Sequence, residues 1–170
     1  IVELSAEDAT RSDFDFLKTV YLNGIEHGVD RVCVCDTVGI LTPDSSFELF
    51  DKLNDINVPI ACHCHNDFGL AVANTLSAIK GGASEIHTTI NGIGERAGNT
   101  SFEECVVSIY RLLPNFSTNI KINEIYEVFK EYFGEDKVDL QEGLTNAGKG
   151  DGDIDLGAGT YDIYFKVNEG

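Results

Sequence analysis

The chain of 170 residues carries 29 acidic and 12 basic side chains, for a formal charge of −17, and 42% of its residues are hydrophobic. This composition excludes a disordered or fibrous chain, and the strong acidity excludes a broad surface for nucleic acid or anionic membrane. No apolar run reaches the roughly 20 residues that span a bilayer. From the length we expect one domain with its own core, and there is room for an appendage.

The chain contains no methionine. Ile1 is therefore not an encoded start, and we expect the chain to be a piece of a longer protein. The five cysteines are an odd number in a sequence without secretory features. This favours free thiols in a reducing cytoplasm over a disulfide scaffold.

Four short apolar segments recur along the first part of the chain, at residues 1–4, 31–35, 59–64 and 85–90. Their spacing leaves room for one returning helix between successive strands. The sequence therefore predicts the α/β class, with parallel strands joined by right-handed crossovers.

Helical patterns fill the intervals between these segments. The predicted helices begin near Ser12, at Thr42 with Pro43 in the first turn, near Asp67, and at Ser101. Hydroxyl and carboxylate side chains at these positions are typical helix N-caps.

The regular alternation fades after Pro114. We divide the chain into βα units over residues 1–114 and a helical segment with a Gly/Asp-rich tail over 115–170. A fifth helix is predicted over 123–133 and a late strand over 161–167. The acidic run at 151–155 lacks the terminal glutamate of an EF-hand, which favours a solvated loop over a calcium site.

His63 and His65 flank Cys64 near the end of the third predicted strand. Alternate side chains share a face of a strand, so the two imidazoles point the same way and Cys64 points oppositely. Two imidazoles in this arrangement predict one edge of a divalent-metal site. The alternative is a pair of structural polar side chains at a strand end.

The cysteines offer a second metal hypothesis, a zinc site made by Cys33, Cys35, Cys62 and Cys64. We favour it less, because their spacing is Cys-x-Cys rather than Cys-x₂-Cys. We expect Cys62 and Cys64 to face the helices instead, where small thiols pack well.

A glycine-punctuated loop, NGIGERAGN at residues 91–99, follows the fourth predicted strand. Its glycines do not match a P-loop or a dinucleotide fingerprint, which leaves a phosphate cradle as the weaker interpretation. The loop lies at the same end of the sheet as the histidines and is expected to bring Asn99 beside them. Glu95 and Arg96 are expected to form a structural ion pair there.

Four motifs in this order, at residues 4–11, 36–43, 63–74 and 91–99, resemble the metal-dependent enzymes that condense acetyl-CoA with 2-oxo acids. These are the 2-isopropylmalate, homocitrate and citramalate synthases, and the resemblance extends over about residues 1–134. It implies a TIM barrel, of which the four segments look like strands five to eight, the C-terminal half. Residues 32–43 look closer to homocitrate or citramalate enzymes than to isopropylmalate ones.

The resemblance implies a divalent metal (Mg²⁺, Mn²⁺ or Zn²⁺) held by His63, His65 and Asn99. In the family an aspartate from a first-strand motif completes the ligand set, and this chain does not contain that motif. The resemblance therefore implies a missing N-terminal half-barrel as a partner, and we also expect a homo-oligomer.

Three further positions match the substrate pocket of the family, with acetyl-CoA as the co-substrate. Ser5 lines the pocket, and Thr37 contacts the carboxylate of the 2-oxo acid. Glu7 is the candidate to position or take the proton removed from the acetyl group.

Two other functions stay open at this point. The missing first-strand motif and the unfamiliar tail favour a non-catalytic metal-binding half-barrel or interaction module. A related acyl-CoA lyase is the other alternative, although the loop at residues 91–99 favours a synthase. Four strands do not close a barrel, so we expect both edges of the sheet to carry unpaired backbone groups.

Overall fold

The computed structural model describes residues 1–122, 124–125, 160–164 and 166–167 of the chain. Four strands pair in parallel, in the order of the sequence: β1 (Glu3–Ala6), β2 (Arg31–Asp36), β3 (Ile60–Cys64) and β4 (Glu85–Thr89). A helix follows each strand: α1 (Phe14–Glu26), α2 (Pro43–Leu53), α3 (Ala71–Gly81) and α4 (Phe102–Leu112). The predicted α/β class with parallel βα units is confirmed. No helix within the described ranges is long and apolar enough to cross a membrane.

The helix starts follow the capping residues. Thr42 caps α2 and Ser101 caps α4, as predicted, each accepting a hydrogen bond from a backbone N–H three residues on. In α1 the carboxylate of Asp13, rather than the hydroxyl of Ser12, accepts from the N–H of Phe16 at 3.0 Å. The helix therefore starts slightly later than predicted.

The start of α3 near Asp67 is wrong, because this helix begins at Ala71. Gly69 has φ +71°, which lies outside the right-handed helical region. The side-chain oxygen of Asn66 accepts from the N–H of Ala71 at 3.1 Å. Residues 66–70 therefore form a turn that leads the chain out of β3 before the helix can start.

The two faces of the sheet have different surroundings. Cys62 and Cys64 are fully buried in the main core, which fills the space between the sheet and the helices. Cys33, Cys35 and Ala61 form a separate buried cluster on the opposite face, which we call the inner face. The expected packing of Cys62 and Cys64 is confirmed. The four-cysteine zinc site is wrong, because the sheet separates the two pairs of thiols.

One edge of the four-stranded sheet is paired, contrary to expectation. A strand from the tail, β6 (Thr160–Tyr164), lies antiparallel to β4. A separate antiparallel pair joins β5 (Phe116–Ser117) to β7 (Lys166–Val167). The late strand predicted over 161–167 is thus present as two segments in two sheets.

The remaining predictions for the second half of the chain are not tested. The fifth helix over 123–133 lies outside the described residues, apart from residues 124 and 125. The acidic run at 151–155 lies outside them entirely. The boundary between residues 114 and 115 stays a prediction.

The close packing of α3 on α2 requires a glycine at the end of α3. A Cβ atom at Gly81 would lie 2.6 Å from the carbonyl oxygen of Phe47 and 3.0 Å from Cβ of Phe50. Both atoms belong to α2, and the first is backbone that cannot rotate away. The two helices together position the ends of β2 and β3.

We expect Gly81→Ala to lower the free energy of unfolding by about 1–3 kcal/mol, because the added methyl group forces the two helices apart. Alanine is otherwise the better helix former by about 1 kcal/mol. Urea denaturation of the variant measures the difference. Lys80→Ala, at the exposed neighbouring position, is the control and should stay within about 0.5 kcal/mol of the wild type. A Gly81→Ala variant as stable as the wild type would contradict the packing argument.

Candidate active site

Three predicted metal ligands meet at the carboxyl ends of the strands. His63 lies in β3 and His65 directly follows it. The centroids of their rings are 5.2 Å apart, with the ring planes at 68°. Asn99 returns from the loop after β4: its backbone bridges to His65, and its side-chain Nδ2 lies 3.4 Å from Nε2 of His63. The fold thus brings His63, His65 and Asn99 together.

This group is largely shielded from solvent. His65 and Asn99 are each 7% exposed, and His63 is half-buried. The Nδ1 atom of His65 is buried and makes no hydrogen bond to any described residue. This ring nitrogen is therefore not committed to another described side chain and is a candidate ligand atom.

Burial also sets the charge of His63. The pKa of the His63 imidazole is lowered to about 4, and burial is the largest cause. The nearby rings of His87 and His65 lower it further. The imidazole is therefore neutral at physiological pH. A neutral imidazole keeps the nitrogen lone pair that a metal ion needs.

The glycines in the loop after β4 are explained by close approach. A side chain at Gly94 would collide with the side chain of Asn99, and one at Gly98 would collide with the carbonyl of Gly92. Gly98 also has φ +89°. These positions let the loop fold tightly enough to return Asn99 to the histidines.

Glu103 anchors the same loop and was not identified from the sequence as a site residue. It is 3% exposed, and its carboxylate accepts from the backbone N–H of Asn91 at 2.7 Å. Burial raises the pKa of Glu103. The acidic capping box at the start of α4 was the signal available in the sequence.

Asp36 organises the loop after β2. Its fully buried carboxylate accepts from the hydroxyl of Thr10 at 3.0 Å and from the backbone N–H groups of Ile40 and Leu41, each at 3.1 Å. One side chain therefore holds the turn after β2 and fastens the segment after β1 to it. In the sequence Asp36 was visible only as the first residue of a motif.

Arg96 links the loops after β2, β3 and β4, and its partner differs from the expected one. Its guanidinium pairs with both carboxylate oxygens of Asp67, one at 2.7 Å, and donates to the backbone carbonyl of Thr37 at 2.8 Å. The expected ion pair involving Glu95 is therefore wrong. The hydrogen bonds from Arg96 hold the pKa of Asp67 below its usual value.

The three predicted substrate residues lie near β1 and β2. Ser5 is exposed and donates to Glu3 at 2.7 Å. The hydroxyl of Thr37 accepts from the N–H of Asp8 at 2.7 Å. Glu7 is exposed in the segment after β1.

The Cys35 thiol interacts electrostatically with the segment after β1. A hydrogen bond with Cys33 lowers the pKa of the Cys35 thiol, while burial and the charges of Glu3 and Glu7 oppose that change. Cys35 is the register partner of His63.

The parallel βα units form part of a (βα) barrel. Their polar side chains gather at the carboxyl ends of the strands, which is where barrel enzymes have their active sites. The family described as HMGL-like matches residues 1–131. The chain belongs to this family.

The chain is similar to synthases of known name over three quarters of its length. It is 59% identical over 129 residues to the (R)-citramalate synthase CimA of Methanocaldococcus jannaschii, which covers 75% of this chain and 26% of that protein. It is 48% identical over 131 residues to the 2-isopropylmalate synthase of Saccharolobus solfataricus, covering 75% and 34%. The chain thus spans about a quarter of the length of the citramalate synthases that it matches.

Solved structures share the fold. An HMG-CoA lyase from Acinetobacter baumannii matches with a TM-score of 0.55 at 21% identity, over 61% of this chain and 36% of that one. The carboxyl transferase domain of Rhizobium etli pyruvate carboxylase matches with a TM-score of 0.55 at 19% identity, over 64% and 20%.

The numbering of the strands within the barrel needs a correction. The matching region lies in the N-terminal portion of the related synthases. The expectation that β1 to β4 are strands five to eight, in a C-terminal half-barrel, is therefore not supported. We assign them as part of the barrel without strand numbers.

The low pKa of His63 makes stability depend on pH. An unfolded histidine titrates near pH 6.5 and the folded one near pH 4, so the unfolded chain binds more protons between these values. We expect the free energy of unfolding to fall as the pH is lowered through this range, by at most about 3 kcal/mol for His63.

Urea denaturation at about pH 7 and about pH 4.5 measures this loss, which His63→Gln should reduce. His27→Gln, at the exposed end of α1, is the matched control and should keep the wild-type pH dependence. If His63→Gln and the wild type lose the same stability, the assignment of this loss to His63 is wrong.

Proposed function

We propose that this chain is part of an acyltransferase that condenses acetyl-CoA with a 2-oxo acid to an alkylmalate-type product. The observation that carries the proposal is the convergence of His63, His65 and Asn99 at the carboxyl ends of the strands. The identity to citramalate and isopropylmalate synthases supports the same reaction class.

The three converging side chains fit a divalent metal ion. Two imidazoles suit Zn²⁺, and an amide oxygen also suits Mn²⁺ or Mg²⁺. The amide of Asn99 presents its oxygen after a flip that exchanges Oδ1 and Nδ2. None of the three groups is anionic, so we expect an anionic ligand from the rest of the enzyme to complete the site. When bound, the metal supplies Lewis-acid polarisation of the keto group of the 2-oxo acid.

Thr37 is suited to bind the carboxylate of the 2-oxo acid. Its oxygen is already the acceptor for the N–H of Asp8. The hydroxyl hydrogen is therefore left to donate, and a carboxylate accepts a stronger hydrogen bond than a neutral group does. Arg96 holds the backbone of Thr37 from the other side, which keeps the hydroxyl in place.

Glu7 is the candidate that takes a proton from the acetyl methyl group or positions the group that does. It is an exposed carboxylate in the segment after β1, and its charge acts on Cys35, the register partner of His63. Removal of the proton generates the enolate that attacks the polarised keto carbon. Hydrolysis of the thioester then releases CoA.

Pyruvate is the first 2-oxo acid to test. Four of the five relatives named as citramalate synthases are 54–59% identical to this chain and the fifth is 48% identical, whereas the three named as 2-isopropylmalate synthases are 48–54% identical. The residues at 32–43 look closer to homocitrate or citramalate enzymes than to isopropylmalate ones. The proposed product is therefore citramalate.

The 170-residue chain alone is expected to show no condensation, because the site needs the remainder of the barrel, and the matched region covers only 25% of a related synthase. The assay is thiol release from acetyl-CoA with pyruvate, 2-oxoisovalerate or 2-oxoglutarate, in the presence of Mg²⁺, Mn²⁺ or Zn²⁺. The whole enzyme carrying this segment should release thiol, with pyruvate as the best substrate. Turnover by the isolated chain would overturn the incomplete-site argument, and a whole enzyme inactive with all three acids would overturn the proposed function.

In the whole enzyme, Glu7→Gln should lower kcat by roughly 10²–10⁴ if the carboxylate takes part in proton transfer. The amide keeps the size of the side chain but loses its basicity. Glu26→Gln, an exposed glutamate at the end of α1, is the matched control and should leave kcat unchanged. A Glu7→Gln enzyme with nearly normal kcat would exclude Glu7 from the proton transfer.

A further inference from the structure

A second group of polar side chains lies on the inner face, away from the loops that carry Asn99. It comprises Glu3 from β1, Arg31 and Cys33 from β2, and Glu85 and His87 from β4, which we call the interior cluster. Glu3, Arg31 and His87 have side chains 15–17% exposed, and that of Glu85 is 2% exposed. Cys33 is fully buried.

The interior cluster holds two carboxylates and one guanidinium. Arg31 pairs with Glu3 at 2.7 Å and with Glu85 at 2.6 Å, so one guanidinium serves two carboxylates. Nε2 of His87 lies 3.5 Å from a carboxylate oxygen of Glu3 and 3.9 Å from one of Glu85. Carboxylate, imidazole and thiol groups therefore face one another on the inner face.

Three members of the cluster have the donor types and spacing of a metal site. One ligand atom from each of Glu3, Cys33 and His87 lies within 4.8 Å of the others, and this is the one such trio among the described residues. Sγ of Cys33 lies 3.8 Å from Nδ1 of His87. Bonds of about 2.3 Å to sulfur and 2.0 Å to nitrogen or oxygen separate tetrahedral ligands by roughly 3.5 Å. The observed atoms need to move by about 1 Å or less.

We propose that Glu3, Cys33 and His87 form a binding site for a zinc-like divalent cation, separate from the group of His63, His65 and Asn99. A mixed sulfur, nitrogen and oxygen set is typical of Zn²⁺. Binding converts the Cys33 thiol to a thiolate and releases its proton to solvent.

Such an ion would connect three strands from within the sheet. Its ligands come from β1, β2 and β4, so it would restrain their relative positions. His87 is also the register partner of His63, and the centroids of their rings are 5.5 Å apart. An ion on His87 would therefore fix the ring that packs against a residue of the proposed catalytic site. The inference goes beyond the proposed function and does not depend on it.

Cobalt titration tests the site because a thiolate ligand has its own optical signature. The metal-free chain is titrated with Co²⁺, and sulfur-to-cobalt charge-transfer absorption in the near ultraviolet is recorded. We expect the band to saturate at one equivalent and to disappear when Zn²⁺ is added. The site of His63, His65 and Asn99 contains no sulfur, so Co²⁺ bound there gives no such band.

Matched variants assign the band to the trio. Cys33→Ser should abolish it, and His87→Gln should weaken cobalt binding at least tenfold. Cys35→Ser is the control, because Cys35 lies on the same face two residues along β2, with its Sγ 3.9 Å from that of Cys33. This control should keep the band. The double variant His63→Ala with His65→Ala should also keep it, which separates this site from the proposed catalytic one.

Circular dichroism of each variant verifies that the fold is retained. If Cys33→Ser fails to fold, His87→Gln and Glu3→Gln carry the test, and both should weaken binding at least tenfold. A folded wild-type chain without the charge-transfer band would overturn the proposal. A band that is lost in Cys35→Ser but survives in Cys33→Ser would overturn it as well.

Discussion

Successive side chains of β3 point to opposite faces of the sheet, and the burial of Cys62 and Cys64 beneath the helices forces His63 and His65 onto the inner face. A slip of one residue in the register would exchange the two pairs. It would place imidazoles in the apolar core and thiols at the candidate site. The parallel pairing of β3 with both β2 and β4 prevents such a slip. The geometry of the candidate metal site therefore depends on ordinary core packing on the other side of the sheet.

The loops at the carboxyl ends of the strands are held by acidic side chains rather than by an apolar core. Asp36 and Glu103 accept backbone hydrogen bonds in buried positions, and Asp67 is held by Arg96. Asp36 and Glu103 accept from backbone N–H groups of loop residues, and Asp67 pairs with a side chain from another loop. Buried backbone N–H groups in irregular segments need acceptors, and a carboxylate oxygen satisfies them strongly. The loops can thus be irregular in shape and still present fixed side chains.

The inner face combines neutral and charged layers. Near the loops the imidazole of His63 is neutral because it is buried, which suits it to bind a cation. In the interior cluster, two carboxylates share the single guanidinium of Arg31. Both groups of side chains therefore offer lone pairs to a cation.

Much of the local structure was determined by the sequence alone. The spacing of the apolar segments predicted parallel βα units, Thr42 and Ser101 marked two helix starts, and the alternation in β3 placed both histidines on one face. These features depend on interactions within a few residues, such as side-chain period and capping, so the sequence contains the information directly. The roles of His63, His65 and Asn99 as ligands stay predictions.

Contacts between residues distant in sequence were decided only by the tertiary structure. Arg96 pairs with Asp67, 29 residues away, instead of forming the expected local ion pair. Helix α3 starts at Ala71 rather than near Asp67. The antiparallel approach of β6 to β4 and the gathering of Glu3, Cys33 and His87 are of the same kind. Such contacts depend on the twist and register of the whole sheet and on which charge finds which partner in space. No short stretch of sequence specifies those quantities, and they arise only when the strands have packed together.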